Sequence, residues 1–196
     1  VEVLGPDKEH QREVRVLNRV LRWTNKGVEY EADPRHAEII LQQLNIENCK
    51  AVATPGTKDE GRAKDGDATS MTTEARLDDE KSTAYRAIVA RANYLAPGRP
   101  DIAYAVKELA RAMSAPTVGD WCRLKRLARF LKGRPRVIHH FDWQQHIERL
   151  SVYTDADWAG DKVSRKSRTD GCLILSEQFL KGWLETQILI TSSCGG

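Results

Sequence analysis

The sequence predicts an α/β protein of the α+β type, in which helices and strands occupy separate stretches of the chain. Two observations carry this prediction: residues 83–136 repeat apolar side chains at helical spacing, and residues 137–196 contain several strand-like runs with no helix between them. The length of 196 residues suits one large domain or two small ones. No run of 18 apolar residues occurs, so no membrane-spanning helix and no membrane partner are expected.

Residues 1–53 are expected to form a β-hairpin followed by a helix. Alternating apolar residues lead to Trp23, Asn25-Lys26-Gly27 reads as a turn, and Val28–Ala32 reads as the returning strand. Asp33 is then expected to cap a helix with Pro34 in its first turn. The apolar face of that helix comprises Ala37, Ile40, Leu41 and Leu44.

Residues 54–82 are predicted to be a flexible linker. This stretch has eight acidic and five basic residues and almost no large apolar side chain. It can bury too little apolar surface to offset the entropy lost on ordering.

Residues 83–136 are predicted to form three helices. Their apolar stripes begin at Tyr85, Ile102 and Trp121, and Tyr94, Tyr104 and Trp121 are expected to pack inside. Thr117 and Asp120 have the spacing of a capping box at the start of the third helix. That helix is expected to stop at Gly133.

The third predicted helix is unusually basic. Residues 84–136 hold twelve Lys or Arg against three acidic residues. Like charges three or four residues apart repel, at about 0.2–0.5 kcal/mol per pair, so their accumulation favours contact with a polyanion. The candidate phosphate contacts are Arg123, Lys125, Arg126, Arg129 and Lys132. The alternative is that these side chains only keep a helix surface in water.

Residues 137–196 predict an antiparallel meander. The expected strands are Val137–Phe141, Leu150–Asp155, Gly171–Leu175 and Gln187–Thr191, with a polar turn at 159–167. Asp155 lies at the end of the second strand, where a carboxylate could help to hold a divalent metal ion. The alternative is a loop aspartate that caps the turn.

The cysteines and histidines indicate no metal site. Cys49, Cys122, Cys172 and Cys194 are scattered without a CxxC pair, so we expect free thiols in a reducing, intracellular compartment. His139-His140 would point to opposite faces of a strand. No targeting segment marks the cytoplasm or the nucleus.

Five stretches, in order, resemble the Pol polyprotein of Ty1/copia-type retrotransposons, where the reverse transcriptase runs into its RNase H domain. They are Val20–Thr24 with Gly27–His36, Tyr85-Arg86 with Ala92–Ala96, Arg99–Val106, Leu124–Gly133, and Tyr153–Asp161. The resemblance covers most of the chain. Because the chain begins at Val1 rather than Met, we also expect it to be part of a longer protein.

The resemblance implies a role for each region. The hairpin with its helix resembles the junction of polymerase palm and thumb, and the basic helices resemble a thumb that grips an RNA–DNA or DNA duplex. Residues from about 148 resemble an incomplete RNase H-like sheet. Asp155 corresponds to the first carboxylate that holds catalytic Mg²⁺, and the other expected partner is the rest of the polyprotein.

The chain also departs from the family pattern. The polymerase's paired aspartates are absent, and the family's Lys-Ser-Thr-Ser-Gly run is replaced by Lys166–Gly171. One carboxylate cannot hold two Mg²⁺ ions, so we expect this chain alone to bind Mg²⁺ weakly, to polymerise no DNA and to cut no RNA. Three alternatives stay open: a non-catalytic nucleic-acid-binding module, a decayed remnant without activity, and a helical domain that binds an acidic protein.

Overall fold

The structure is a computed structural model that describes residues 2–56, 74–147, 149–158 and 165–187. Four α-helices lie within these ranges: α1 (Arg35–Gln43), α2 (Asp79–Leu95), α3 (Pro100–Arg111) and α4 (Val118–Gly133). A short 3₁₀ turn, Ala96–Gly98, joins α2 to α3. No helix in the described ranges is long and apolar enough to cross a membrane.

The described residues contain seven strands, which form two sheets. The first has the order β1 (Glu13–Val16), β2 (Arg19–Trp23), β3 (Gly27–Glu31) and β4 (Ile138–Asp142). The second has the order β5 (Leu150–Asp157), β6 (Arg168–Leu175) and β7 (Gln178–Thr186), and its pairs are antiparallel. The predicted α+β class is confirmed.

The chain divides into two compact units. The first comprises Val1–Val14, Leu21–Tyr30 and His139–Gly196, and the second comprises Arg15–Val20 and Glu31–Ile138. The buried apolar cluster lies wholly in the second unit, between Ala32 and Leu131.

The core of the second unit is built from the predicted helical stripes. Each of the four helices contributes its apolar face, and Tyr85, Ile102 and Leu124 are fully buried. The Tyr85 hydroxyl donates to the carbonyl oxygen of Leu109 at 2.8 Å, so this phenol has a partner inside the core. Burial raises the pKa of Tyr85 well above its usual 10, which keeps the hydroxyl protonated as a donor.

The N-terminal strands differ from the single predicted hairpin. The chain turns back at Leu17-Asn18, where both residues have positive φ (50° and 63°), as in a two-residue type I′ turn. Asparagine tolerates this conformation, whereas leucine rarely adopts it. Only one of the two turn residues is therefore of a type that indicates such a turn. The predicted turn at Asn25-Lys26-Gly27 is present between β2 and β3.

The predicted strand at Gln187–Thr191 lies almost wholly outside the described residues, since only Gln187 is described and it is not part of a strand. A different strand, β7, which follows β6 after Ser176-Glu177, was not predicted. Ser176 has positive φ (55°), a conformation usually signalled by glycine or asparagine, so the tight turn had no sequence marker.

Two helix starts differ from prediction. Pro34, not Asp33, takes the N-cap position of α1, while the Asp33 carboxylate accepts from the N–H of Arg35 at 3.0 Å. Helix α2 begins at Asp79, inside the stretch predicted as linker, because Asp78 caps it by accepting from the N–H of Lys81. Residues 57–73 of the predicted linker lie outside the described residues.

Two aromatic residues predicted to be internal are exposed. Tyr94 is 45% exposed and Tyr104 is 57% exposed. The Tyr94 hydroxyl instead donates to the carbonyl of Leu17 at 3.1 Å, so it braces the β1–β2 turn. Trp121 packs against the core as expected, although it is only partly buried.

Candidate nucleic-acid interface

Helix α4 is fixed at both ends. At its start, the Thr117 hydroxyl accepts from the N–H of Asp120 and the Asp120 carboxylate accepts from the N–H of Thr117, which completes the predicted capping box. Beyond its C-terminal end, the buried guanidinium of Arg99 donates to the carbonyls of Arg134 at 2.8 Å and Pro135 at 3.3 Å. Because both ends of α4 are held by hydrogen bonds, its solvent-exposed side chains are carried by a stable helix.

The five predicted contact residues share the polar side of α4. Lys125, Arg129 and Lys132 form one row, since residues three and four apart lie above one another on a helix. This row runs for about 10 Å along the axis, which matches about three consecutive phosphates of one strand. Arg126 adjoins the row and Arg123 lies farther round. The structure therefore brings four of the five cations together.

Arg123 lies beside an acidic residue, Asp120. Its guanidinium donates to the Asp120 carboxylate at 2.8 Å, and the Arg123 side chain is 42% exposed. Since this pair neutralises much of the local charge, Arg123 attracts an anion less than an isolated arginine would.

Three of the remaining cations contact the segment Cys49–Thr54, which follows α1. Arg126 Nη2 donates to the Thr54 hydroxyl at 2.9 Å. Arg129 Nε donates to the Lys50 carbonyl at 2.8 Å. Lys132 Nζ donates to the Cys49 carbonyl at 2.6 Å. Lys125 is exposed. The acceptors in these three hydrogen bonds are uncharged, so the bonds themselves cancel no positive charge.

The candidate metal residue Asp155 lies on β5 and is exposed, as is its neighbour Asp157. One Asp155 oxygen accepts from the N–H of Ala156 at 2.9 Å, and one Asp157 oxygen accepts from the N–H of Arg168 at 2.6 Å. Across the strand pair, Asp155 is directly opposite Asp170, so the two carboxylates share one face of the sheet.

The carboxylates in the described ranges do not form a two-metal centre. No group of three or more His, Cys, Asp or Glu side chains there is placed to hold a metal ion. Asp155 with Asp170 supplies two carboxylates, which is fewer than a pair of Mg²⁺ ions requires. The Mg²⁺ site therefore stays a prediction.

The sequence did not reveal the contacts of Cys49–Thr54 with α4. Its contacts to α4 use two main-chain carbonyls, which every residue type carries, and one hydroxyl. The partners are 72 to 83 residues apart in the chain, so no local pattern links them. The cross-strand pair of Asp155 and Asp170 was missed for a similar reason, because the register of β5 against β6 is a tertiary property that no short stretch of sequence specifies.

Comparison with known proteins identifies several relatives. The chain is 33% identical over 168 residues to an uncharacterized mitochondrial protein of Arabidopsis thaliana, a match that covers 81% of this chain and 62% of that protein. It is 38% identical over 137 residues to the retrovirus-related Pol polyprotein from transposon RE1 of the same plant, covering 69% of this chain and 8% of the polyprotein. The Pol polyprotein from transposon TNT 1-94 of Nicotiana tabacum is 32% identical over 136 residues, which is 10% of its length.

The chain spans less than two thirds of each of these three relatives. No protein-family model matches the chain, and no solved structure matches it.

Proposed function

This chain is homologous to the retrovirus-related Pol polyproteins of copia-type transposons, and on that premise we propose that it grips the sugar–phosphate backbone of a nucleic-acid duplex through α4. The duplex would be an RNA–DNA hybrid or DNA. Phosphate contacts of this kind position a duplex without reading its sequence.

The observation that supports this proposal most directly is the row Lys125, Arg129 and Lys132 together with Arg126. These four cations lie on one side of a helix whose ends are both held. Arg129 and Lys132 donate to main-chain carbonyls and Arg126 donates to a hydroxyl, so these three hydrogen bonds cancel no positive charge. A helix surface that only needed solubility would gain more from interspersed glutamates, which form favourable pairs with lysine.

The proposal is tested by titrating a fluorescent RNA–DNA hybrid with the protein at several salt concentrations. The test variant is Lys125→Gln/Arg129→Gln/Lys132→Gln. The matched control is Lys8→Gln/Lys26→Gln/Lys181→Gln, which removes the same charge from exposed residues of the first unit, outside α4. We expect log K to fall linearly with log salt for the unmodified protein. The test variant should reduce the slope by about two to three, since each lost phosphate contact contributes about 0.9.

Three outcomes would contradict this function. One is a lack of binding near 50 mM salt, where phosphate contacts are strongest. Another is equal slopes for the test and control variants, because net charge alone would then explain binding. The third is tighter binding to an acidic polypeptide than to the duplex, which would favour the alternative of an acidic protein partner.

Asp155 would hold Mg²⁺ only as part of a complete RNase H site, so we propose no hydrolysis by this chain alone. An assay with the RNA strand of a hybrid and added Mg²⁺ checks this. Cleavage that Asp155→Asn abolishes would overturn the proposal.

A further inference from the structure

We propose that the segment Cys49–Thr54 is a positioning element of the nucleic-acid interface, which holds three cations of α4 in place before the duplex arrives. This inference rests on the proposed function. It adds that uncharged groups outside α4, two main-chain carbonyls and one hydroxyl, determine how tightly the cations of α4 bind the duplex.

The first support is the number of contacts between a short segment and one helix side. Arg126, Arg129 and Lys132 occupy successive turns of α4, and each donates to the segment, at 2.9, 2.8 and 2.6 Å. Long basic side chains normally sample many rotamers on a surface. Three hydrogen bonds to one segment restrict that sampling on one side of the helix.

The second support is that the contacts leave donors for an anion. An arginine has five N–H donors and a lysine has three. Arg129 uses Nε for the Lys50 carbonyl, so its two terminal nitrogens are not used in this bond. Lys132 uses one of three donors for the Cys49 carbonyl. A segment that served as a competing inhibitor would be expected to offer carboxylates, which cancel charge, whereas carbonyls do not.

The third support is that the segment is itself held in place. Val52 packs against the buried cluster, which anchors the middle of the segment. On one side of it, Ala51 passes so close to Gly133 that a Cβ on Gly133 would lie 2.9 Å from the Ala51 Cβ. The end of α4 therefore needs glycine for the segment to lie where its carbonyls meet the cations.

The expected consequence is a lower cost of binding. Immobilising a rotamer-rich side chain at an interface costs about 0.5–1.5 kcal/mol. Because the segment already restricts Arg126, Arg129 and Lys132 in the folded protein, much of this entropy is lost on folding and not on binding. Loss of the segment contacts should therefore weaken binding, while the number of phosphates neutralised stays the same.

The decisive variant is Gly133→Ala, which changes no charge and pushes Ala51 away. Alanine is favoured over glycine in helices, so α4 should persist. We expect hybrid affinity to fall about three- to tenfold, in line with the cost of one immobilised side chain, with an unchanged salt slope. The Arg129 Nε–H should exchange faster with solvent in NMR spectra, because its carbonyl acceptor has moved. A role in stability alone would not produce that pair of results.

Two further variants complete the test. Ala51→Gly in the Gly133→Ala background removes the clashing methyl group and should restore affinity, since the next nearest atom to that Cβ, the Val52 carbonyl oxygen, is 3.9 Å away. Thr54→Val removes the acceptor of Arg126 and should weaken binding about twofold. Tighter binding by Gly133→Ala would show that the segment competes with the duplex, and unchanged binding would remove it from the interface. If the unmodified protein does not bind the hybrid, the proposed function fails first.

Discussion

At the scale of single residues, the two partners of the Glu31–Arg136 ion pair differ greatly in their exposure to solvent. The Glu31 side chain is 2% exposed, whereas the Arg136 side chain is 52% exposed. Two guanidinium nitrogens donate to the Glu31 carboxylate, and the bond from Nη2 is 2.8 Å long. Loss of the arginine therefore leaves a buried anion with fewer donors, while loss of the glutamate's charge leaves a guanidinium that water can reach.

This asymmetry predicts unequal costs for the two substitutions. Arg136→Met should lower the free energy of unfolding by about 2–3 kcal/mol and Glu31→Gln by about 1 kcal/mol. Urea unfolding of both variants measures the difference. Equal losses would mean that the burial of Glu31 does not decide the energetics of the pair.

His36 is expected to make the stability of the second unit, which contains the four helices, depend on pH. Burial lowers its pKa below the usual 6.5, and the nearby cations Arg91 and Arg35 lower it further, although Asp33 acts in the opposite direction. The ring also packs against Tyr94, with centroids 4.8 Å apart. Because the folded state holds this imidazole neutral, the unfolded state binds the proton more readily.

The sign of this pKa shift predicts a loss of stability in mild acid. As pH falls through 6.5 towards the lower folded pKa, the His36 contribution to the free energy of unfolding should decline. His36→Gln, which does not titrate, should show a smaller decline than the unmodified protein in urea unfolding at about pH 7.5 and pH 5.5. Identical pH dependence of the two proteins would exclude His36 as the cause.

At the scale of elements, the pairing of β3 with β4 depends on Gly27. A Cβ there would lie 2.0 Å from the carbonyl oxygen of Phe141, which is main chain and cannot rotate away. The N–H of Trp143 donates to the carbonyl of Lys26 at 2.7 Å, and the rings of Trp23 and Trp143 lie 4.4 Å apart in the same region. A methyl group at Gly27 would separate these strands.

Gly27→Ala should therefore destabilise this sheet by about 1–3 kcal/mol. It should also change the near-ultraviolet circular dichroism of the Trp23–Trp143 pair. Gly182→Ala is the control, because its Cβ would come closest to the tip of the Phe179 ring, at 3.3 Å, and a ring can rotate. The nearest main-chain atom, the Gly171 carbonyl oxygen, would be at an ordinary contact distance of 3.7 Å. A similar effect of both variants would contradict this account.

At the scale of the whole molecule, the two units differ in how much apolar surface they bury. The buried cluster runs from Ala32 to Leu131, within the helical unit. Several apolar residues of the other unit are exposed: Trp143 49%, Leu150 58%, Val152 57% and Tyr153 57%. Exposed apolar surface contributes little to stability, so the two units should open at different free energies.

Hydrogen exchange should reveal this difference. We expect the slowest amides in α2 and α4 and at least about tenfold faster exchange in β5, β6 and β7, which corresponds to about 1.4 kcal/mol. Truncation is unnecessary, since the whole chain can be measured. Equal protection in both units would indicate one cooperative unfolding transition.

The parts of the fold that the sequence predicted well are those governed by local physics. The apolar stripes that begin at Tyr85, Ile102 and Trp121 lie on helices. Apolar residues at a period of 3.6 favour a helix that buries one face, whatever the rest of the chain does. The capping box at Thr117 formed because both of its bonds span three residues. The turns at Leu17 and Ser176 were missed because positive φ was imposed on residues that seldom adopt it.

The sequence alone determined the α+β class, the helical stripes, the concentration of positive charge on α4 and the resemblance to copia-type Pol polyproteins. All of these follow from residue type and short-range order. Only the tertiary structure decided that Cys49–Thr54 contacts Arg126, Arg129 and Lys132 of α4 and that Asp155 is opposite Asp170. The reason is physical: main-chain carbonyls are common to every residue, and a cross-strand register depends on where the chain turns.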